Sequence, residues 1–388
     1  MKTCVKIFSI SLVLFSAMWI NAASQRENTP PPPGTVIARS GDWEKQFLGS
    51  PSMEILSDGR YVFTHDDFTA HTDVYESKDR GRKWTRIGGF DRQRSGTLFA
   101  VKDILYQIGY AIPGVEGVSA ECVAIRKSID GGRTWTEPKD AKTGLILSDS
   151  IYYTDPVPVL FHNGRVWWQV DVVDKSKKGW AERFSMMVIS ASLDSDLLDA
   201  ASWTRSNPVP WKQHEYFSGW VEGNVVADPD GKMHSIARVE DWKRPGGGGK
   251  TVARFNLSDD GKTLSFDPET GFINFPGGAS KFCVRFDDVT KKYWVLTTDG
   301  FNGGARNRLN LVCSDDLKAW NVRSILYHHP DKLSGFQYCD WRIVGDDIHF
   351  VCRLGWYGKN FHDSNYMIFD TIKNFRKRTR NDDAEMLK

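Results

Sequence analysis

The pattern Ser-x-Asp-x-Gly-x-x-Trp occurs at Ser77–Trp84 and at Ser128–Trp135, and a worn copy spans Ser314–Trp320. Each part has a physical job. Asp and Gly build a tight turn, Gly taking backbone angles that other residues avoid. The Asp carboxylate accepts backbone N–H groups inside the turn, and the Trp folds back over it. Such a unit is a hairpin with a built-in clasp. A clasp that recurs along one chain implies a repeat architecture made of hairpins.

The rest of the sequence agrees. Short apolar segments follow one another almost without helix, and turn signals come roughly every 8–12 residues. The first unit has Pro51–Leu56, a Ser57-Asp58-Gly59 turn and Tyr61–Thr64. The second has Thr97–Val101 and Ile104–Ile108, the third Val157–Phe161 and Val166–Val170. The fourth has Gly223–Ala227 and Met233–Ala237, the fifth Lys281–Phe286 and Tyr293–Thr297, the sixth Gln337–Ile343 and Ile348–Cys352. A second hairpin follows each pair, and in units one, two and five it holds a clasp. The expected fold is therefore all-β, a β-propeller of four-stranded blades, with six blades counted and room for a seventh between residues 140 and 280. Val36–Arg39 is expected to complete the last blade and close the ring. A sandwich would not explain the doubled hairpins.

The ends and totals place the protein. Residues 1–23 read as a secretory signal: Lys2 and Lys6, an apolar run from Ile7 to Ile20, then small residues to Ala23. Residues 24–34 form a Pro-rich linker, and 35–388 a single catalytic propeller domain in an exported protein, periplasmic or extracellular. A formal net charge of +2 over 388 residues gives no reason to expect nucleic acid or a membrane as partner, and a monomer is expected. Cys122, Cys283, Cys313, Cys339 and Cys352 remain after the signal; free buried thiols are the expectation, with Cys339–Cys352 the one pair placed for a disulfide.

Propeller geometry locates the chemistry. The start of each innermost strand and the end of the second share one face around the central pore, and the clasps lie on the other. The pore-face positions read Gln46, Ser50, His65, Asp66 and Asp67; then Tyr110 and Arg126; then Tyr153, Asp155 and Asp171. The list continues with Trp220, Glu222, Asn224 and Arg238, then Lys281, then Tyr338, Asp340, Trp341 and Arg353, with His362 and Asp363 in a following loop. Cations that bind a carboxylate, aromatics that stack on sugar faces and ionisable pairs suggest an acidic oligosaccharide or polysaccharide as partner.

The clasps resemble the Asp-boxes of the sialidase superfamily over nearly the whole mature chain. The arginine-bearing Phe-Arg-Ile-Pro stretch of sialidases is replaced by Val36-Ile37-Ala38-Arg39-Ser40, and no Tyr–Glu nucleophile pair is evident. A closer resemblance, carried by Gly49–Ser52, Tyr61–Asp66, Phe336–Trp341 and His362–Tyr366, is to propeller enzymes acting at rhamnose–glucuronate linkages. One branch contains α-L-rhamnosidases and another ulvan-type lyases. This resemblance implies catalytic roles for Gln46, His65, Tyr110 and Arg126. The pore-face reading adds Trp220, Glu222, Lys281, Tyr338, Trp341, Arg353 and His362 as candidate substrate contacts. The family's catalytic His before Gly49-Ser50 is Gln46 here, and an amide does not titrate near neutral pH. That favours hydrolysis with release of terminal α-L-rhamnose over β-elimination. A binding propeller without catalysis is the third reading. No cofactor is expected to be required, and an ion such as calcium in the pore is compatible with the residues.

Overall fold

Alternating apolar segments that bury both faces of a strand must stack sheet on sheet, and here they do so around an axis. The computed structural model describes residues 29–111, 121–241, 248–300 and 306–387. The expected signal segment, residues 1–23, lies outside the described residues. From Gly34 onward the chain forms one compact unit of six separate antiparallel sheets, so the six blades counted in the sequence are six, and the described residues between 140 and 280 add no seventh.

The first blade is Gly49–Ile55, Tyr61–Asp66, His71–Ser77 and Thr85–Asp91. The second is Gln93–Val101, Ile104–Ala111, Cys122–Ser128 and Leu145–Leu147. In the third, the innermost strand is broken into Tyr152–Tyr153 and Leu160–His162. Pro156 and Pro158 lie in the gap, and neither has an N–H for the ladder. The fourth begins with Trp220–Ala227 and Met233–Val239, the fifth with Val284–Asp287 and Lys292–Asp299, the sixth with Gly335–Val344 and Asp347–Gly355. Thr35–Arg39 pairs antiparallel with Tyr366–Ile372, so the N-terminal strand closes the ring as its pattern implied.

The core lies between blades. Trp294, Trp341, Phe336, Phe350 and Phe375 fill the space where the fifth blade meets the sixth. Phe99, Trp168, Ile108 and Val170 do so between the second and third. Near the axis, the Asp340 carboxylate accepts from Ser52 Oγ at 3.0 Å and Met53 N at 2.8 Å in the first blade and from Arg285 at 2.8 Å in the fifth. One buried side chain thus ties the closing blade to both neighbours. All five described cysteines are buried free thiols.

The clasps sit at the turns between third and fourth strands. In the second blade, Asp130 accepts from Ser128 Oγ at 2.8 Å, from the Arg133 and Thr134 amides at 3.0 Å each, and from Thr134 Oγ1 at 2.6 Å. Trp135 Nε1 donates to Gly132 O at 3.0 Å and closes it. In the worn copy Leu317 occupies the glycine position and is held at φ +61°, and the Trp320 indole N–H has no partner. Burial, the largest single influence, acts to raise the Asp130 pKa, but these hydrogen bonds together outweigh it and hold it at about 2. Asp130→Ala should lower stability by about 1–2 kcal/mol in urea denaturation. The contribution is present above the ordinary carboxylate pKa and lost as the folded group protonates, so the gap to wild type should close as pH falls from about 4 to about 2. A gap independent of pH would show that the carboxylate is not the clasp.

Candidate functional site

Four innermost strands slip register by one residue at the same height near the axis. The slips fall between Gly49 and Ser52, Arg94 and Thr97, Val221 and Asn224, and Gln337 and Asp340. Each bulge holds a non-glycine residue at positive φ: Ser50 at 48°, Ser95 at 51°, Glu222 at 61° and Tyr338 at 58°. Such residues are costly and re-aim a side chain out of the pleat. Gly223 follows Glu222 because a Cβ there would lie 2.7 Å from Ser235 Oγ.

The two larger bulge side chains meet across the axis. Tyr338 donates its hydroxyl to Glu222 Oε1 at 2.8 Å. Tyr338 lines a cavity of about 450 Å³ at the pore mouth, and Glu222 stands behind it. The sequence made no Tyr–Glu contact evident; the structure brings this hydrogen-bonded pair together from the fourth and sixth blades.

Three arginines surround this pair and line the same cavity. Arg353 is 2% exposed, with its guanidinium carbon 3.9 Å from the Tyr338 ring centroid. Its hydrogen-bond partner among the described residues is the Gln337 side-chain oxygen at 3.3 Å, and its Nε is unpartnered. Arg306 shares that oxygen at 2.7 Å and likewise has no carboxylate partner among the described residues. Burial, together with Arg238 and Arg353, pushes Arg306 down to about 10, which leaves it charged at neutral pH. Arg238 is paired, with Glu222 at 3.0 Å and with Glu240. Burying an uncompensated charge costs several kcal/mol per ion, so Arg306 and Arg353 leave the cavity short of negative charge.

The carboxyl groups divide into two kinds. Burial acts to raise the Glu222 pKa, but the Arg238 charge and hydrogen bonds from Asp155, Arg238 and Tyr338 outweigh it and hold the group ionised. Asp155, on the cavity wall, is pushed far up by burial and by the Glu222 charge. It accepts from Tyr153 OH at 2.6 Å and shares a hydrogen bond with Glu222. Asp171 accepts from the Glu222 amide at 3.2 Å, and burial pushes it up to about 8. Burial raises Tyr338 as well, with the Asp155 and Glu222 charges adding to it, so its phenol stays protonated. Two neighbouring carboxyls with pKa values driven apart mark an acid and a base.

Of the residues expected at the site, Tyr110, Tyr338, Arg353 and His362 line the cavity. Glu222 is bonded to it, and Lys281 lies below, its Nζ 5.8 Å from the Tyr338 ring centroid. Tyr110 is engaged by Arg94, which donates to its hydroxyl, and His362 is held by Asp363 at 3.1 Å. The others are elsewhere. Arg126 is 1% exposed and spends its donors on Gln93, Glu137, Thr136 O and Asp91 O. It pairs with Gln107 while Tyr110 pairs with Val123, and strand alternation puts positions 107 and 110 on opposite faces of the sheet. His65 is buried between Phe63 and Tyr75, bonds its neighbour's carbonyl at 3.0 Å, and is kept neutral by burial. Gln46 is exposed in the loop before the first blade. Trp220 donates to Phe184 O at 3.1 Å and Trp341 to Cys283 O at 3.0 Å, both inside the core. Sequence reasoning missed Arg94 and Arg306; the available signal for Arg306 was an Arg directly after Gly303-Gly304-Ala305, two residues before the third strand of the fifth blade, Arg308–Ser314. Among the described residues no group of three or more His, Cys, Asp or Glu could hold a metal ion.

No protein-family model and no curated protein matches the chain. Solved structures do. The chain is similar to an α-L-arabinanase of Penicillium chrysogenum complexed with arabinobiose, with 14% identity, TM-score 0.57, and coverage of 90% of this chain and 100% of that one. A Hadza microbial sialidase aligns with TM-score 0.59 and 14% identity over 88% of this chain and 68% of its own. The sialidase of Trypanosoma rangeli in complex with sialic acid aligns with TM-score 0.54 and 15% identity over 90% and 58%. At these identities the likeness establishes the propeller fold.

Asp171 carries a testable pH signature. A carboxyl with pKa raised from 3.8 to about 8 binds a proton in the folded state that the unfolded chain has lost. Its contribution to stability therefore falls as pH rises through that window. Asp171→Asn should stabilise the protein progressively, relative to wild type, between pH 4 and 8 in thermal melts. A difference that stays constant across that window would contradict a protonated Asp171.

Proposed function

We propose that the protein is a glycoside hydrolase whose cleavage subsite takes a sugar bearing a carboxylate. The observation that carries this is the pair of buried arginines without carboxylate partners, Arg306 and Arg353, packed against the Tyr338–Glu222 pair. A ligand carboxylate supplies the missing charge, and Arg binds it through a planar fork. A carboxylate nucleophile would repel such a ligand; a neutral phenol does not. Tyr in place of an acidic nucleophile is the known exception among glycosidases.

In this reading Tyr338 attacks the anomeric carbon while Glu222 accepts the phenol proton. The bond to the leaving oxygen breaks as Asp155 protonates it. Water then cleaves the tyrosyl–sugar bond, Asp155, now ionised, takes a proton from that water, and the departing Tyr338 oxygen recovers its proton from Glu222. Two inversions return the original anomeric configuration. That the similar structures include an α-L-arabinanase and a sialidase supports hydrolysis as the chemistry class. Terminal rhamnose ahead of glucuronate fits this pocket less well, because it puts a neutral sugar beside Tyr338 and the anion one subsite away.

The test is a panel of an aryl α-sialoside, an aryl β-glucuronide, rhamnose-capped glucuronan oligosaccharides and ulvan. Hydrolysis of a carboxylated aryl glycoside is expected. Tyr338→Phe should then lower kcat roughly 10³-fold. Arg353→Gln should raise KM roughly 10–100-fold, the size of a lost charged hydrogen bond. Free rhamnose as the sole product would move the anion to the neighbouring subsite. Ultraviolet-absorbing unsaturated uronates would show elimination, with Tyr338 as the base beside an Arg-neutralised carboxylate.

A further inference from the structure

The cavity wall opposite the arginine cluster has its own character. Trp180, 47% exposed, projects there with its ring edge-on to Tyr153 at 5.3 Å and to Phe184 at 4.9 Å. A half-exposed indole at a cavity wall is a common platform for a sugar ring. Lys175 and Arg183 line the cavity on the same wall. Arg183 lies 5.6 Å from the Trp180 ring centroid. Its side chain donates to the carbonyls of Gly179 at 3.3 Å and Lys178 at 3.5 Å, at the weak end of hydrogen-bond geometry. It has no carboxylate partner among the described residues. Glu182 turns away to bond the Gly179 amide at 2.8 Å, which leaves Glu121 as the carboxylate on this wall.

The platform is also fixed in place. Ala181–Arg183 form one 3₁₀ turn, packed so closely on Gly219 that a Cβ there would come within 2.1 Å of the Ala181 carbonyl carbon. The Asp174 amide donates to Arg183 O at 2.8 Å and ties the Lys175 turn to the same turn. An aromatic plate flanked by two unneutralised cations, held rigid beside a cleavage subsite, is suited to a second anionic sugar.

We propose that Trp180, Lys175 and Arg183 form a neighbouring subsite for a uronic acid, so that the substrate is a glycan with two adjacent carboxylated sugars. This rests on the cavity floor being the site of the first carboxylate. The test is calorimetric titration of the full chain with a disaccharide of two uronic acids and with the methyl glycoside of the single uronic acid. The disaccharide should bind roughly tenfold tighter, as expected of an added hydrogen bond to a charged group. Arg183→Gln and Trp180→Ala should each shrink that gap, and circular dichroism should show both variants folded. Equal affinities, a gap that survives both substitutions, or no binding of the disaccharide would overturn the inference. Arg353→Gln separates the two readings. If it weakens the monosaccharide glycoside while the disaccharide gains nothing, the floor stands and the second subsite falls.

Discussion

The site depends on one backbone irregularity repeated around the axis. At Ser50, Ser95, Glu222 and Tyr338 the innermost strand carries an extra residue in the left-handed region. Each such residue costs on the order of 1–3 kcal/mol and persists only where its surroundings over-determine it. Here the ladders on either side of each bulge and the packed blade faces do so. The return is geometric. A regular strand would alternate these side chains into the interblade core or along the pore wall. The bulge turns Glu222 and Tyr338 toward each other, and the 2.8 Å bond between them follows.

Charge is distributed to match. Away from the cavity, buried ions are paired: Asp340 with Arg285 and Arg342, Asp287 with Arg376. At the cavity floor the pairing stops. Glu222 and Glu240 engage Arg238, while Arg306 and Arg353 share an uncharged amide oxygen from Gln337. The fold tolerates this imbalance because six blades bury far more apolar surface than two unpaired cations cost. Beside them the Arg238 charge and hydrogen bonds hold Glu222 ionised, and burial with the Glu222 charge pushes Asp155 up.

Legibility varied with how local the signal was. The clasps are contiguous, and the blade count, the closing strand and the pore-face phase followed from them. Tyr338, Glu222 and Arg353 were placed on that face one at a time, and the structure brings them together at the candidate site. Their partnership was not, since Glu222 and Tyr338 are 116 positions apart. Arg126 and His65 show the opposite failure. Both are the right residue types near the right height, but strand alternation and side-chain packing turn them into the wall, where backbone carbonyls and aromatic rings engage them. Trp180 and Arg183 sit in a loop with no repeat to give it a phase.

The sequence by itself determined the all-β propeller and a count of six blades with room for a seventh, because turns, clasps and strand periodicity act over a few residues and leave their mark in order along the chain. Only the tertiary structure decided which polar residues form the site. The Tyr338–Glu222 bond, the uncompensated Arg306 and Arg353, and the opposed pKa values of Glu222 and Asp155 all arise from burial and from distances across the axis. Those quantities exist only once strands from different blades have been brought together, and no one-dimensional spacing encodes them.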